Sequence, residues 1–179
     1  YDMAFNDGGV HIYQGYGSAR CMLDHLRRAD KPMTDALEKS TLEKVEVFGP
    51  RKELLKVKQQ MTKIGDCYFS FFETNSKLPG FRRPTEFKGS DDKSFLNISL
   101  KLPDTAEALQ ALKKKLKAIR RVMMDMVGVE SFLIAYNKAE KSVRLVGTYD
   151  NMEAVLEGMG SAAAYLGQEI LDWLQVHGP

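Results

Sequence analysis

The sequence is poor in the residues that usually mark a particular chemistry. Cys21 and Cys67 are its only cysteines, too few for a disulfide framework, and we expect both to be reduced thiols in or near a core. His11, His25 and His177 are its only histidines, and their spacing matches no zinc motif. It also lacks a glycine-rich phosphate loop. We therefore expect neither a disulfide-stapled nor a zinc-finger fold, and we predict no metal and no cofactor.

Long apolar runs and a strong charge of either sign are also missing. No stretch reaches 18 apolar residues, so no transmembrane segment is expected. The net charge of +2 gives no global field for binding nucleic acid, and no such partner is predicted. The sequence contains no signal peptide or transit sequence. A soluble protein of a reducing compartment is expected, either the cytoplasm or, if a targeting segment precedes residue 1, an organelle stroma or matrix.

An internal repeat is the main feature that the sequence does contain. Residues 10–50 and 143–179 share an order of apolar residues, a tyrosine after the first strand pattern, and a Val-x-Gly-Pro ending. A repeat identifies the building unit of a fold before any single motif does. Both ends of the sequence fall inside a unit, so we expect it to be a slice of something longer. At an offset of 133 residues, Val10, Ile12, Tyr16, Leu23 and Leu26 fall on Val143, Leu145, Tyr149, Leu156 and Met159. At an offset of 129, Leu37, Leu42, Val45, Val47, Gly49 and Pro50 fall on Leu166, Leu171, Leu174, Val176, Gly178 and Pro179.

The second half of the sequence alternates between strand and helix patterns. Phe95–Leu102 alternates apolar and polar residues, as in a strand with one buried face. In the helix that follows, apolar residues step by three and four, and Asp104 with Glu107 has capping-box spacing. Asp150 with Glu153 repeats this spacing at a second helix. Further strands are predicted over residues 129–136, 143–148 and 173–177. The resulting order, β-α-β-β-α-β, is ferredoxin-like, with an antiparallel sheet and two helices on one face.

The first half is predicted to contain an incomplete copy of the same unit. We predict residues 1–80 as a partial repeat that lacks the first strand and helix, and residues 81–94 as a linker. Residues 95–179 form the second repeat, which lacks a C-terminal helix and strand. The predicted fold class is α+β, with antiparallel sheets of ferredoxin-like units packed as an α/β barrel, within one chain or between two chains.

Three segments carry a resemblance to a known family: the strand Phe95–Leu102, the helix Asp104–Val127, and the strand-to-helix corner Val143–Leu156. They resemble the dimeric α/β-barrel superfamily and, within it, the antibiotic-biosynthesis-monooxygenase (ABM) type of domain. The resemblance extends over residues 95–179 and in part over residues 4–50. The family includes cofactor-free monooxygenases acting on polyketide-like quinols, haem-degrading enzymes, and members without known activity.

The resemblance implies a small set of candidate site residues. The haem-degrading type uses an Asn on its first strand with a His and a Trp on its second helix, and Asn97 matches that Asn. The second helix here, within residues 150–171, contains no His, and Trp173 lies beyond it. The haem-degrading set is therefore not assembled in one unit. For a monooxygenase or an aromatic-ligand pocket between sheet and helices, the expected polar groups are Asn97, Tyr136 and Tyr149.

A run of positive charge on the long helix is the strongest charge feature. Because the apolar stripe of that helix runs through it, these residues are expected mainly to form its solvated side. The alternative is a docking surface for an acidic protein. The candidate residues are Lys113, Lys114, Lys115, Lys117, Arg120 and Arg121.

Three functions are consistent with these patterns. The first is a non-catalytic, ABM-like tandem-repeat protein that acts as a structural or interaction subunit and binds other chains or further repeats of the same protein. The second is a cofactor-independent monooxygenase or aromatic-ligand-binding protein of the ABM type. The third is a peripheral subunit of an organellar complex that docks through the basic helix, residues 113–121.

Overall fold

The structure is a computed structural model that describes residues 2–6, 9–61, 69–74, 77–78, 80–83, 93–167 and 171–177. In the first half its elements are β1 (Asp2–Asn6), β2 (Gly9–Tyr13), α1 (Ala19–Arg28), α2 (Asp30–Leu37), β3 (Val45–Gly49), α3 (Arg51–Met61), β4 (Phe69–Thr74) and β5 (Phe81–Arg82). In the second half they are β6 (Ser94–Lys101), α4 (Ala106–Asp125), β7 (Val129–Asn137), β8 (Ser142–Tyr149), α5 (Met152–Leu166) and β9 (Leu171–His177). Among the described helices, none is both long and apolar enough to cross a bilayer. Cys67, and residues 84–92 of the predicted linker, lie outside the described residues.

The second half has the predicted ferredoxin-like topology. β6 lies between β8 and β9 and is antiparallel to both, and β7 pairs with the far edge of β8. The spatial order is therefore β7-β8-β6-β9, with α4 and α5 as the crossovers. The prediction of an α+β, ferredoxin-like fold is confirmed by this strand order.

The two long helices begin one residue later than the capping patterns indicated. Thr105, rather than Asp104, caps α4: its hydroxyl accepts a hydrogen bond from the amide of Ala108 at 3.2 Å. Asn151, rather than Asp150, caps α5, with its Oδ1 2.9 Å from the amide of Ala154. A side chain that accepts a bond from the third amide of a helix is the usual N-cap arrangement, and Thr and Asn suit it as well as Asp does.

The first half extends the same sheet. β3 and β4 are parallel, joined by the crossover helix α3, and the end of β4 pairs antiparallel with β7 through Glu73 and Thr74. β1 and β2 form a separate hairpin. Within the described residues the two halves are joined edge to edge in one sheet of order β3-β4-β7-β8-β6-β9, with β5 added to β7. The packing of sheets as an α/β barrel, within one chain or between two chains, stays a prediction.

The two faces of this sheet differ in composition. On the helix face, strand residues such as Leu96, Ile98 and Leu145 pack with α4 and α5 in one buried cluster. A second cluster packs α3 and α1 against β3 and β4, and includes Val47 and Val57. The opposite face carries the buried polar side chains of Asn97, Ser99, Ser142 and Arg144, and we call it the polar face. From the first half of the chain, Glu46 and Phe72 also lie on the polar face.

The sheet curls around the polar face. Glu46 on β3 and Arg144 on β8 are three strand spacings apart, roughly 14 Å on a flat sheet. The two residues are also offset along the strands. Glu46 lies beside Ser70 of β4, whereas Arg144 lies in line with Thr74 of β4, because Thr74 pairs with Ala135 and Ala135 pairs with Arg144. The four residues from Ser70 to Thr74 add roughly 13 Å to the separation. The two side chains nevertheless hydrogen-bond at 2.9 Å. The sheet must therefore bend toward this face, as in a partly closed barrel.

Candidate functional site: the polar face of the sheet

Arg144 is the centre of the polar face. Its side chain is 3% exposed, and its Nε and Nη2 donate to Oε1 of Glu46 at 3.0 and 2.9 Å. Nη1 donates to the hydroxyl of Ser99. The guanidinium carbon lies 4.9 Å from the ring centroid of Phe72 on β4, within the range of a cation–π contact. Arg144 thus binds residues of both halves of the chain at once.

A second positive charge, that of Lys44, lies beside the carboxylate of Glu46 and helps to keep it ionised. Lys44 Nζ lies 2.9 Å from the same Oε1 atom that Arg144 uses. Burial alone would raise the pKa of the Glu46 carboxyl, but the hydrogen bonds and charges of Arg144 and Lys44 outweigh it and hold that pKa below its ordinary range. The group is therefore a paired, charged cluster, which suits a structural link better than proton transfer near neutral pH.

Asn97 is the other notable polar group on this face. It is 7% exposed, and its Oδ1 is buried without a hydrogen-bond partner in the part of the chain that the structure describes. Across β6 and β9 it pairs with Gln175, whose Nε2 lies 3.3 Å from Nε2 of His11 on β2. A buried acceptor without a donor costs free energy, so the environment of the Asn97 amide oxygen favours a bound donor.

Tyr149 lies on the helix face, where its ring fills the space between sheet and helices. It is fully buried, and its hydroxyl lies 3.8 Å from Sδ of Met123 on α4. A Cβ atom at Gly147 would lie 2.6 Å from the ring, and one at Gly158 of α5 would lie 3.0 Å from it. Burial raises the pKa of the Tyr149 hydroxyl well above its ordinary value. The ring therefore acts as core packing, for which two glycines leave room.

Tyr136 lies on the helix face as well, but far from Tyr149. It pairs with Val143, six residues from Tyr149 along β8, a separation of roughly 20 Å. Its hydroxyl is buried without a hydrogen-bond partner among the described residues, and burial raises its pKa. Asn97, Tyr136 and Tyr149 were predicted to meet in one pocket. The structure instead places Asn97 on the opposite face, Tyr136 on β7 beside the start of β8, and Tyr149 at the end of β8.

The basic helix α4 presents part of its charge to solvent. Lys114, Lys115, Lys117 and Arg121 are exposed, while Lys113 and Arg120 are half-buried. Lys115 donates to the carbonyl of Leu166 at 3.2 Å, close to the C-terminus of α5, where a positive charge is favourable. The buried side of the helix is the apolar stripe of Leu112, Leu116, Ile119 and Met123. The solvated side is therefore as predicted, and docking of an acidic protein there stays a prediction.

The sequence reading overlooked Arg144. The available signal was a lone charge in the apolar strand Val143–Tyr149, since a charged residue in a buried strand normally needs a partner. Its partner Glu46 is 98 residues away, and no local pattern connects the two. Among the described residues, no three His, Cys, Asp or Glu side chains are grouped as they would be around a metal ion.

Comparison with known proteins gives matches in structure only. No family model matches the sequence, and no similar curated protein was found. A protein described as a monooxygenase from Fusobacterium nucleatum has 10% identity and a TM-score of 0.47, over 60% of this chain and 48% of its own. One described as an antibiotic biosynthesis monooxygenase from Chloroflexus aurantiacus has 16% identity and a TM-score of 0.38, over 49% and 93%. Rv0793 from Mycobacterium tuberculosis has 19% identity and a TM-score of 0.42, over 49% and 95%.

These similarities concern the fold and carry no argument about activity. The ferredoxin-like assignment rests on the strand order of β6 to β9.

Proposed function

We propose that this chain is a non-catalytic protein of ABM-like fold that acts as a structural or interaction subunit. The observation that carries the proposal is the packing of Tyr149: its ring occupies the space between sheet and helices where a ligand would bind. The polar groups that would orient a substrate lie on different faces and at different ends of β8. The Arg144–Glu46 pair joins the two halves of the chain, and the carboxylate of Glu46 is already paired with Arg144 and Lys44.

Oxygen consumption with polycyclic quinols tests the absence of catalysis. We expect the full chain to consume oxygen no faster than autoxidation in buffer, and Tyr149→Phe to behave in the same way. Turnover that Asn97→Ala or Tyr149→Phe lowers by about tenfold, equivalent to about 1.4 kcal/mol of barrier, would contradict the proposal and favour the ABM-type monooxygenase.

A second candidate function follows from the buried Oδ1 of Asn97, which has no hydrogen-bond partner among the described residues. A small aromatic ligand with a hydroxyl group could donate to this atom on the polar face, where Phe72 and Phe95 are buried beside the polar groups. Such a ligand would bind only the folded chain and would raise its Tm.

Thermal unfolding with a panel of aromatic alcohols and phenols tests this candidate. Binding at Asn97 requires a rise in Tm that Asn97→Ala removes and that the distant Asn151→Ala does not. The interaction role predicts no rise in Tm with any member of the panel.

A further inference from the structure

Large apolar side chains are exposed where the C-terminal end of α4 meets the N-terminal end of α5. The amide of Asp150 donates to the carbonyl of Gly128 at 2.8 Å, and a Cβ atom at Gly128 would lie 2.8 Å from Cβ of Ala154, so these two ends are in contact. Four exposed side chains around this contact are called the apolar patch: Met124, Val127, Met152 and Leu156. Val127 and Leu156 are 86% and 61% exposed. A cluster of this kind is typical of an interaction site.

Exposed carboxylates flank the apolar patch. Each lies one or two residues from a member of the patch, and they are Asp125, Asp150, Glu153 and Glu157. Two positive charges are also near: Arg83 donates to the carbonyl of Met124 at 2.6 Å, and Arg121 lies one helical turn before Met124. The carboxylates outnumber them by two to one, so the patch favours a partner surface of positive charge.

The outward side of α3 has the opposite charge around an apolar centre. The buried side of this helix packs against β3 and β4, and Leu55 lies on the other side, where it is 54% exposed. Residues three or four positions apart are neighbours on a helix surface, and of those around Leu55, three are exposed and positively charged: Arg51, Lys52 and Lys58. We call Leu55 and these three residues the basic face of α3.

We propose that the basic face of α3 in one copy of this chain docks on the apolar patch of a second copy. Leu55 packs against Leu156 in this contact, and the positive charges around Leu55 lie near the carboxylates that flank the patch. The inference rests on the proposed interaction role, and it identifies the partner as another copy of the chain.

Charge selects this pairing over contacts between like surfaces. Two apolar patches in contact would bring carboxylates together, and two copies of α3 would bring their positive charges together, and both arrangements oppose association. Within one chain the two surfaces do not cover each other, because Leu55 and Leu156 are both more than half exposed. Contact between unlike surfaces of two copies buries both leucines and pairs the opposite charges.

Sedimentation equilibrium of the full chain tests whether copies associate. We expect the average mass to rise above that of the monomer as protein concentration rises. The dissociation constant should also increase between about 0.1 and about 1 M NaCl, because the Debye length falls from about 10 to about 3 Å over that range.

Two variants with the same change test which surfaces meet. Leu55→Glu places a carboxylate opposite the acidic flank of the patch, and Leu156→Glu places a charge where Leu55 packs, so each should weaken association by about tenfold or more. A mixture of the two variants should associate more tightly than either variant alone, because one supplies an intact patch and the other an intact basic face. Val10→Glu is the matched control: Val10 is 55% exposed on the β1–β2 hairpin, and this variant should associate as the unmodified chain does.

Three outcomes overturn the inference. The first is a chain that stays monomeric at every concentration, and the second is equal weakening by Val10→Glu. The third is a mixture of Leu55→Glu and Leu156→Glu that associates no more tightly than either variant alone, since α3 and the patch are then not each other's partners. Oxygen uptake is measured separately, so a failure of this contact and a failure of the non-catalytic role can be distinguished.

Discussion

Gly147 and Tyr149 are two residues apart on β8, and the ring of Tyr149 occupies the space that a side chain at position 147 would need. A Cβ atom there would lie 2.6 Å from Cε2 and 2.8 Å from the hydroxyl oxygen. Overpacking of this kind costs about 1–3 kcal/mol. We therefore expect Gly147→Ala to lower the free energy of unfolding, measured by urea denaturation, by that amount.

A matched control for this substitution lies on α5. Gly160 has no atom within 4 Å of the position of an added Cβ, and alanine has the higher helix propensity by about 1 kcal/mol. Gly160→Ala should therefore raise the free energy of unfolding slightly. If Gly147→Ala and Gly160→Ala change the free energy of unfolding equally, the close packing of the Tyr149 ring against Gly147 is contradicted.

Tyr149 should also make stability fall at high pH. Burial raises the pKa of its hydroxyl in the folded state, while in the unfolded chain the pKa of tyrosine is about 10. Its contribution to stability is therefore fully present below about pH 10 and is lost as the pH rises further, at up to about 1.4 kcal/mol per pH unit. Urea denaturation from pH 8 to pH 11 should show this decrease.

Substitution identifies the tyrosine responsible for that decrease. Tyr149→Phe removes the ionising group, so it should flatten the pH dependence. It should change stability little at pH 7, because the hydroxyl donates to Met123 Sδ, which is a weak acceptor. Tyr165→Phe is the control because Tyr165 is 40% exposed. Equal flattening by the two variants would contradict a special role for Tyr149.

At the scale of elements, the caps of α4 and α5 offer a test with neighbouring residues as controls. Asn151→Ala removes a side chain that accepts a hydrogen bond from the helix amide of Ala154, so it should lower the free energy of unfolding by about 1 kcal/mol. Asp150→Ala should cost only about 0.3 kcal/mol, through the lost charge near the helix N-terminus. If Asp150→Ala lowered the free energy of unfolding more than Asn151→Ala, Asp150 rather than Asn151 would be the cap.

Periodicity predicted the elements of the second half because the apolar residues of each one are concentrated on a single face, although β6 and β8 also bury polar side chains on the other face. The alternation of Phe95–Leu102 and the apolar stripe of α4 each determine one element locally. The predicted caps lay one residue before the observed ones. Asp104 and Thr105 are both good capping residues, and sequence alone does not rank them. β5 was overlooked since its two residues pair with β7 only through tertiary contact.

The candidate site was harder to predict than the fold, because it depends on which face each strand residue occupies relative to distant strands. Asn97 and Tyr149 lie on different strands and different faces, which follows from the β6–β8 register and from no local pattern. Arg144 and Glu46 are joined only after β4 has paired with β7. Neither composition nor residue spacing could predict this ion pair.

At the scale of the whole molecule, two apolar clusters belong to different halves of the chain, one under α4 and α5 and one under α3. Among the described residues, β4 and β5 of the first half each pair with β7 through two residue pairs. The contacts of Arg144 with Glu46 and Phe72 therefore form much of the remaining link between the halves on the polar face. Loss of this link should weaken the first half more than the second.

Glu46→Ala tests that link because it leaves the guanidinium of Arg144 buried without its carboxylate, a change that costs about 3–5 kcal/mol when a pair is fully buried. Glu46 is 14% exposed, so the lower end of that range is expected. Hydrogen exchange of amides in β3, α3 and β4 should then accelerate by roughly hundredfold, since about 2.8 kcal/mol corresponds to that factor. Hydrogen exchange of amides in β6 and β8 should change far less, because their own apolar cluster is intact.

Asp35→Ala is the control. It breaks an exposed ion pair with Lys31 and should leave hydrogen exchange in both halves unchanged. Equal acceleration in both halves would instead mean that the chain unfolds as one cooperative unit, and that Arg144 stabilises the whole sheet rather than the junction between its parts.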